Sequence, residues 1–275
     1  MVDVTLYQGD ALAMMATLEP QSIDAIITDL PYGTTACSWD EVIPFAPMWE
    51  AVRRVLKPRG VFVTTASQPF TSALVMSNLE WFKYAWVWEK NHGTGHLNAK
   101  IMPMRAHEDV VVFADSGNMY IPQMRMGKSY ARLNCSRAST NKGTFGATND
   151  THSTVNKSGE RYPLSVINFD IVEQTDHPTQ KPVALYAYLI RTYTNAGDTV
   201  LDFCAGSFTT GVACLETGRN FIGIEKEPKY FEIGCERMRK AELQRTLFSC
   251  GMTDTDKLDS PNHLPPAQSQ MFDTA

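Results

Sequence analysis

The segment DLPYG, residues 29–33, follows directly on the apolar run AIIT. It brings together a carboxylate (Asp29), a main-chain carbonyl (Leu30), a stiff turn residue (Pro31) and a flat aromatic (Tyr32). At the carboxyl end of a strand in an open α/β sheet, such groups face the crevice where ligands bind. The set suits a planar ring bearing an exocyclic amine. The Asp29 carboxylate and the Leu30 carbonyl can each accept an N–H bond from that amine, and Tyr32 offers a face for stacking, worth about 1–3 kcal/mol per base in comparable sites. A ring amine is a poor nucleophile because its lone pair is delocalised. Two acceptors outside the ring plane localise that pair, which can then attack an electrophilic methyl group in line. Asp and Pro also make ordinary strand-to-loop turns, so the pentapeptide alone leaves both readings open.

A second stretch calls for a different ligand. LDFCAGSFTTG, residues 201–211, reads as an apolar strand entering a glycine-containing turn, then Ser and Thr residues that open a helix. Backbone N–H groups and hydroxyls at a helix start bind polar groups. About 20 residues beyond the turn, NFIGIE ends in Glu225, the place from which an acidic side chain holds ribose hydroxyls in dinucleotide-type sites. Phe208 stands where such turns favour glycine. If that position needs φ > 0 or close backbone approach, phenylalanine costs about 1–2 kcal/mol in strain and crowds the ligand. A nicotinamide or flavin dehydrogenase would share the βαβ pattern and the terminal acid, but the chain lacks G-x-G-x-x-G and that reading leaves DLPYG unexplained.

These groups need strands to carry them. DAIITD (24–29) and GVFVTTA (60–66) read as buried strands, and PFAPMWEAVRRVLKP (44–58) between them has helical spacing, which makes a βαβ unit. KYAWVWEK (83–90) and EDVVVFAD (108–115) are further strand candidates, rich in Val and aromatics. Between 116 and 166 the pattern collapses into Ser, Thr, Asn and Gly, with no core strand or long helix. In HPTQKPVALYAYLIRTYTNAG (177–197), Pro182 suits the first turn of a helix and Gly197 its end. TVLDFC, a helix over about 209–217, NFIGIE and a long helix over about 228–245 then complete a second βαβ unit. The expected organisation is a catalytic half over 1–115, an insertion over 116–170, a cofactor-binding half over 171–245, and a disordered tail over 246–275 that contains SPNHLPPAQSQ.

The chain has 275 residues, 43% of them hydrophobic, enough for one large core with an inserted lobe. It has no apolar run of about 18 residues and no basic-then-apolar start, so a cytoplasmic, membrane-free protein is expected. The six cysteines are scattered without C-x-x-C or nearby His at zinc spacing, which predicts reduced structural thiols and no metal site. Charge is unevenly distributed. Residues 116–166 hold Arg125, Lys128, Arg132, Arg137, Lys142, Lys157 and Arg161 against Asp150 and Glu160, a net +5, so with the chain at −5 the remainder carries −10. A basic, polar insertion on an acidic body predicts a surface that meets phosphate. Trp39, Trp86 and Trp88 are near the right strands to line a base pocket, but core packing is the better reading.

DLPYG resembles the D-P-P-Y signature of the amino-methylating DNA methyltransferases, with Leu30 in place of the first proline. YQGDAL (7–12), GVFVTTASQ (60–68), VWEKN (87–91), HPTQKP (177–182), LDFCAGSFTTG and GIEKEP (223–228) resemble other motifs of that family, in the order of its beta group: catalytic motif first, target recognition next, cofactor motifs last. The resemblance covers most of residues 3–245. It implies a Rossmann-like α/β sheet with helices on both faces and an inserted target-recognition segment. S-adenosyl-L-methionine is the implied cofactor and double-stranded DNA the partner, and many relatives are homodimers or belong to restriction-modification systems.

On that resemblance, Asp29, Leu30, Pro31 and Tyr32 form the methyl-acceptor site. Asp10 meets the adenine end of the cofactor, Glu225 the ribose, and Thr179, Gln180 and Lys181 the methionine end. Asp202, Cys204, Gly206, Ser207, Phe208, Thr209 and Thr210 make the cofactor turn, with Phe208 replacing the second glycine of the family loop. That departure leaves a catalytically impaired DNA-binding relative as an alternative. Asp rather than Ser at the first motif position favours adenine N6 over cytosine N4. No cysteine follows a proline, which excludes the Pro-Cys nucleophile of carbon-5 cytosine methylation. The target base must leave the helix to reach the pocket. Arg125, Arg132, Arg137 and Arg161 of the insertion are candidates for bidentate guanine contacts, and Lys128, Lys142 and Lys157 for phosphates.

Overall fold

A computed structural model describes residues 2–35, 37, 40–132, 154–172 and 180–249. Two compact units are present, one built from residues 1–121 and 165–275, the other from 122–164.

The larger unit is an eight-stranded sheet. Its strands are β1 (Val4–Gln8), β2 (Ile23–Asp29), β3 (Leu56–Ala66), β4 (Phe82–Thr94), β5 (Arg105–Phe113), β10 (Val166–Asn168), β11 (Thr199–Asp202) and β12 (Asn220–Glu225). They lie in the order β1-β12-β11-β2-β3-β5-β4-β10. All neighbours pair in parallel except β5, which runs antiparallel to both β3 and β4. The chain moves from β2 to β3 on one side of the β11–β2 boundary and from β11 to β12 on the other. This boundary is the topological switch point, where a crevice opens beyond the strand ends.

Helices cover both faces, and strands buried on both faces must be apolar throughout. α1 (Ala11–Thr17), α2 (Phe45–Val55) and α3 (Phe70–Ser77) contribute Met15, Met48, Trp49, Val52, Phe70 and Leu74 to one core, against Ile26, Phe62, Val111 and Leu201. α4 (Val183–Tyr193), α5 (Thr209–Thr217) and α6 (Pro228–Ser249) cover the other face, where Leu185, Ile190, Leu215 and Phe231 meet Ala25, Ile27, Val63 and Val200. Alternate residues of β2 thus enter opposite cores, as a period of two requires. No helix among the described residues is long and apolar enough to cross a membrane.

Several details differ from the sequence expectation. Pro182 is the N-cap of α4, one position before its first turn, and the helix ends at Tyr193; Gly197, at φ +85°, makes the turn four residues later. α6 runs to Ser249, so residues 246–249 are helical; residues 250–275 of the expected tail lie outside the described residues. The low-aliphatic segment ends in a sheet strand that was not foreseen, β10, because a three-residue edge strand leaves no periodic signal. Trp86 and Trp88 are core residues. Their indole N–H groups donate to the Tyr193 hydroxyl (2.7 Å) and the Phe169 carbonyl (2.8 Å), while Trp39 lies outside the described residues.

Phe208 has φ +58° and ψ +39° and is fully buried. The left-handed backbone that glycine would favour is therefore present, at about 1–2 kcal/mol. The ring turns inward, edge-on to Phe221 (6.2 Å) and Phe231 (5.7 Å). Gly234 of α6 makes the room, since a Cβ there would stand 2.5 Å from Phe208 Cδ2. Burying a phenylalanine contributes about 1.5–3 kcal/mol and offsets the strain. Gly234→Ala is expected to destabilise the fold by about 1–3 kcal/mol through overpacking, and to cost clearly less in a Phe208→Gly background; urea unfolding of the four variants of this cycle measures the coupling.

Candidate active site

The crevice at the switch point holds a cavity of about 330 Å³ lined, among others, by Asp10, Asp29, Leu30, Pro31, Tyr32, Gln180, Lys181, Tyr186, Asp202, Cys204, Gly206, Ser207, Thr209, Thr210 and Glu225. All belong to the larger unit. Asp29 ends β2, beside Thr65 of β3 in the parallel register, and Asp202 ends β11.

Asp29 is held by three donors. Tyr32 Oη donates to Oδ1 (2.8 Å), Thr65 Oγ1 donates to the same oxygen, and Lys181 Nζ donates to Oδ2 (2.6 Å). Lys181 also lies 3.5 Å from Glu108 Oε2, and Glu108 is paired with Lys90, so charges alternate through Lys90, Glu108, Lys181 and Asp29. Burial alone would lower the Lys181 pKa, but the Asp29 and Glu108 carboxylates more than offset it and hold the ammonium above its usual range. Burial, then the same two carboxylates, pushes the Tyr32 phenol well up, so it stays a neutral donor. Its ring stacks on Phe70 at 5.2 Å. A carboxylate has about four lone-pair sites, which leaves one on Asp29 for an incoming N–H.

Asp40 shapes the loop after Tyr32. Its Oδ1 accepts from Gly33 N (2.9 Å) and its Oδ2 from Thr34 N (2.9 Å) and Thr35 N (2.7 Å), and Gly33 takes φ +67°. Burial opposes ionisation of Asp40, but these bonds win and lower its pKa.

Asp202 is buried and, among the described residues, accepts from neutral donors only: Thr28 Oγ1 (2.7 Å) and Cys204 N (3.1 Å) on Oδ1, and Thr210 Oγ1 (2.5 Å) on Oδ2. Desolvation raises its pKa from 3.8 to about 7. A cationic ligand group would supply the missing countercharge. Glu225 accepts from Gly206 N (2.7 Å) and Glu227 N (2.8 Å), and burial raises its pKa. Asp10 caps α1, its Oδ1 accepting from Leu12 N and Ala13 N at 3.1 Å, and it also lines the cavity. Gln180 Oε1 accepts from Ser207 Oγ at 3.4 Å.

Lys181 lines the cavity and donates to Asp29, whereas Phe208 does not line the cavity and is taken out of the ligand-contacting set. Thr179 lies outside the described residues. Sequence reading missed Thr65, Glu108, Asp40, Tyr186 and Arg237. Arg237 Nη1 donates to the Ser207 carbonyl (2.5 Å) and the Ser207 hydroxyl (2.6 Å), tying α6 to the turn. Thr65 lies within GVFVTTASQ without being marked there as a site residue, and the other four sit in none of the quoted motifs; their placement depends on strand register and helix docking.

The described residues of the smaller unit form two antiparallel pairs: β6 (Arg125–Met126) with β9 (Glu160–Arg161), and β7 (Tyr130–Arg132) with β8 (Thr154–Asn156). Arg125 Nε donates to the Tyr162 carbonyl (3.2 Å). Arg161 Nη2 donates to the Lys128 carbonyl (2.9 Å), with its guanidinium 5.7 Å from the Tyr130 ring. These two arginines therefore use part of their donor capacity inside the unit. Lys128 and Lys157 are exposed, Arg132 pairs with Thr154 in the β7–β8 ladder, and Arg137 and Lys142 lie outside the described residues.

This open sheet, with a switch-point crevice that joins an acidic strand end, a glycine turn and a second acid, has the fold of the S-adenosylmethionine-dependent methyltransferases. The solved M1.HpyAVI–SAM complex is similar, with a TM-score of 0.59 and 25% identity over 85% of this chain and 99% of that one. The PvuII DNA methyltransferase (cytosine-N4-specific) shares the fold, with a TM-score of 0.62 and 17% identity over 91% of this chain and 94% of that one. A family model described as DNA methylase (N6_N4_Mtase) matches residues 23–236, and the chain belongs to that family, the amino-methylating DNA methyltransferases. The DNA adenine methyltransferase YhdJ of Escherichia coli (strain K12) is 29% identical over 85% of this chain and 82% of its own length. The type II methyltransferase M.HpaI of Haemophilus parainfluenzae is 28% identical, over 86% and 74%.

Asp202 has a pH consequence. Between its unfolded pKa of 3.8 and its folded value of about 7, the unfolded chain releases a proton that the folded chain keeps, so this group lowers stability as pH rises through that window. Asp202→Asn is expected to flatten this slope, measured as urea midpoints from pH 4 to pH 8; an unchanged slope would show that Asp202 is not the group responsible.

Proposed function

We propose that the chain transfers a methyl group from S-adenosylmethionine to N6 of an adenine turned out of double-stranded DNA. One juxtaposition carries this reading: Asp29, Leu30 and Tyr32 line the same cavity as Asp202, Gly206, Thr210 and Glu225. The bound cofactor supplies an electrophilic methyl group. Asp202, buried without a cation, balances positive charge at the methionine end, and Ser207, Thr209 and Thr210 offer hydroxyls beside it. Glu225 keeps lone pairs for ribose hydroxyls, and Asp10 keeps Oδ2 for the adenine amine.

Asp29 accepts an N–H of the target amine at its remaining lone pair, and the Leu30 carbonyl accepts the other. Lys181 and Thr65 fix the carboxylate so that the acceptors do not reorganise during transfer. When the amine has taken the methyl group it holds a surplus proton, and Asp29 is the adjoining acceptor. Tyr32 supplies the stacking face. Adenine rather than cytosine is supported by Asp at the first motif position and by the adenine specificity in the name of YhdJ.

The unit of residues 122–164 is proposed to read the sequence around the target through its basic residues. Deleting residues 128–157 is expected to abolish site preference while cofactor binding stays measurable; retained preference in sequenced methylated DNA would refute that role.

Incubated DNA digested to nucleosides is expected to contain N6-methyladenine by mass spectrometry, with Asp29→Ala lowering the yield by about two orders of magnitude or more. Methylated cytosine alone, or no product, would sink the adenine reading. The positions modified then define the recognition site.

A further inference from the structure

The hairpin joining β4 to β5 runs out from the same edge of the sheet as the catalytic carboxylate. Asp29 shares a row with Thr65 of β3 and Val110 of β5. The β4–β5 ladder continues past that row, through Val87 with Asp109, Trp88 with Glu108 and Glu89 with His107, to Thr94 with Arg105. From Val110 to Arg105 is five residues, roughly 17 Å of extended chain beyond the row that holds Asp29. The base of the hairpin belongs to the site itself, since Glu108 reaches the Lys181 ammonium that holds Asp29.

The tip is a hydrogen-bonded turn that presents apolar side chains. A short 3₁₀ turn (His96–Asn98) follows Gly95 at φ +89°, and Asn98 O accepts from Ile101 N (2.9 Å) and Met102 N (3.0 Å). Leu97 and Ile101 are 88% and 79% exposed, and Met102 and Met104 are about half exposed. Leucine and isoleucine held out on a structured turn cost hydration free energy unless a partner covers them. The surrounding charge names that partner. Residues 91–107 contain Lys100, Arg105, His92, His96 and His107, all exposed, and no Asp or Glu, in a chain of net charge −5. A second copy placing this patch against itself about a two-fold axis would set like charges face to face. A polyanion with apolar gaps between stacked rings fits both features.

We infer that the β4–β5 hairpin is a DNA wedge: Leu97 and Ile101 enter the base stack at the target position and occupy the space left by the extruded base, while Lys100 and Arg105 hold the flanking phosphates. Apolar side chains of this kind unstack base steps in other DNA-bending proteins. The extruded base must then travel only the length of the hairpin to reach Asp29. This assignment rests on the methyltransferase reading, but not on whether the target is adenine or cytosine.

Two variants test it, on a duplex carrying the mapped recognition site and on the same duplex with a mismatch opposite the target base, which removes much of the unpairing cost. Leu97→Ser/Ile101→Ser is expected to lose about ten-fold or more in kcat/KM on the matched duplex and to recover to within about three-fold of wild type on the mismatched one. Its S-adenosylmethionine affinity by calorimetry should be unchanged. Lys100→Ala/Arg105→Ala should reduce the slope of log K against log salt by about 1.8, the value for two phosphate contacts. Equal losses on both duplexes, no loss on either, or a shift from dimer to monomer in sedimentation would overturn the wedge. A wild-type protein that methylates neither duplex would instead defeat the parent reading.

Discussion

Thr28 Oγ1 donates to Asp202 Oδ1 at 2.7 Å and joins two strands 174 residues apart in the chain. That bond marks the boundary between β2 and β11, and the site exists because these strands are parallel neighbours whose carboxyl ends open on one crevice. The DLPYG segment follows from the end of β2 and the glycine turn from the end of β11. If their register slipped by one residue, every side chain would change face and Asp29 and Asp202 would point into separate cores. Both cores are tightly filled by helices, and this filling holds the register in place.

Around that boundary the structure places its polar groups in opposed ways. Asp29 is surrounded by donors and sits at one end of an alternating charge chain through Lys181, Glu108 and Lys90. Asp202, close by in the same cavity, accepts from hydroxyls and a backbone N–H among the described residues, and its pKa rises to about 7 through desolvation. Two carboxylates of the same residue type are thus prepared for different partners. The first is oriented and needs only one more hydrogen bond; the second is short of a cation.

Phe208 illustrates how a departure from a motif is absorbed. The backbone keeps the conformation glycine would adopt, while the ring leaves the cavity and fills a space that Gly234 opens in α6. The cavity side of the turn is left to Gly206, Ser207, Thr209 and Thr210, so the substitution changes the core behind the loop and not the surface in front of it.

The sequence by itself determined the local pieces: two βαβ units, the helix at 209–217, the strand ends carrying Asp29 and Glu225, and the family, because each is written in a contiguous period or motif. Lys181 was legible as part of HPTQKP but not as the partner of Asp29, 152 residues away. Thr65, Glu108, Asp40 and Arg237 were invisible as site residues, and so was the projecting hairpin, since an ordinary Thr, Glu or Leu acquires a role only from what lies across the sheet. The antiparallel direction of β5, the edge strand β10 and the inward turn of Phe208 were likewise decided in three dimensions. The physical reason is common to all of them: periodicity encodes which face of an element is buried, whereas register and the docking of α6 decide which buried or exposed groups meet.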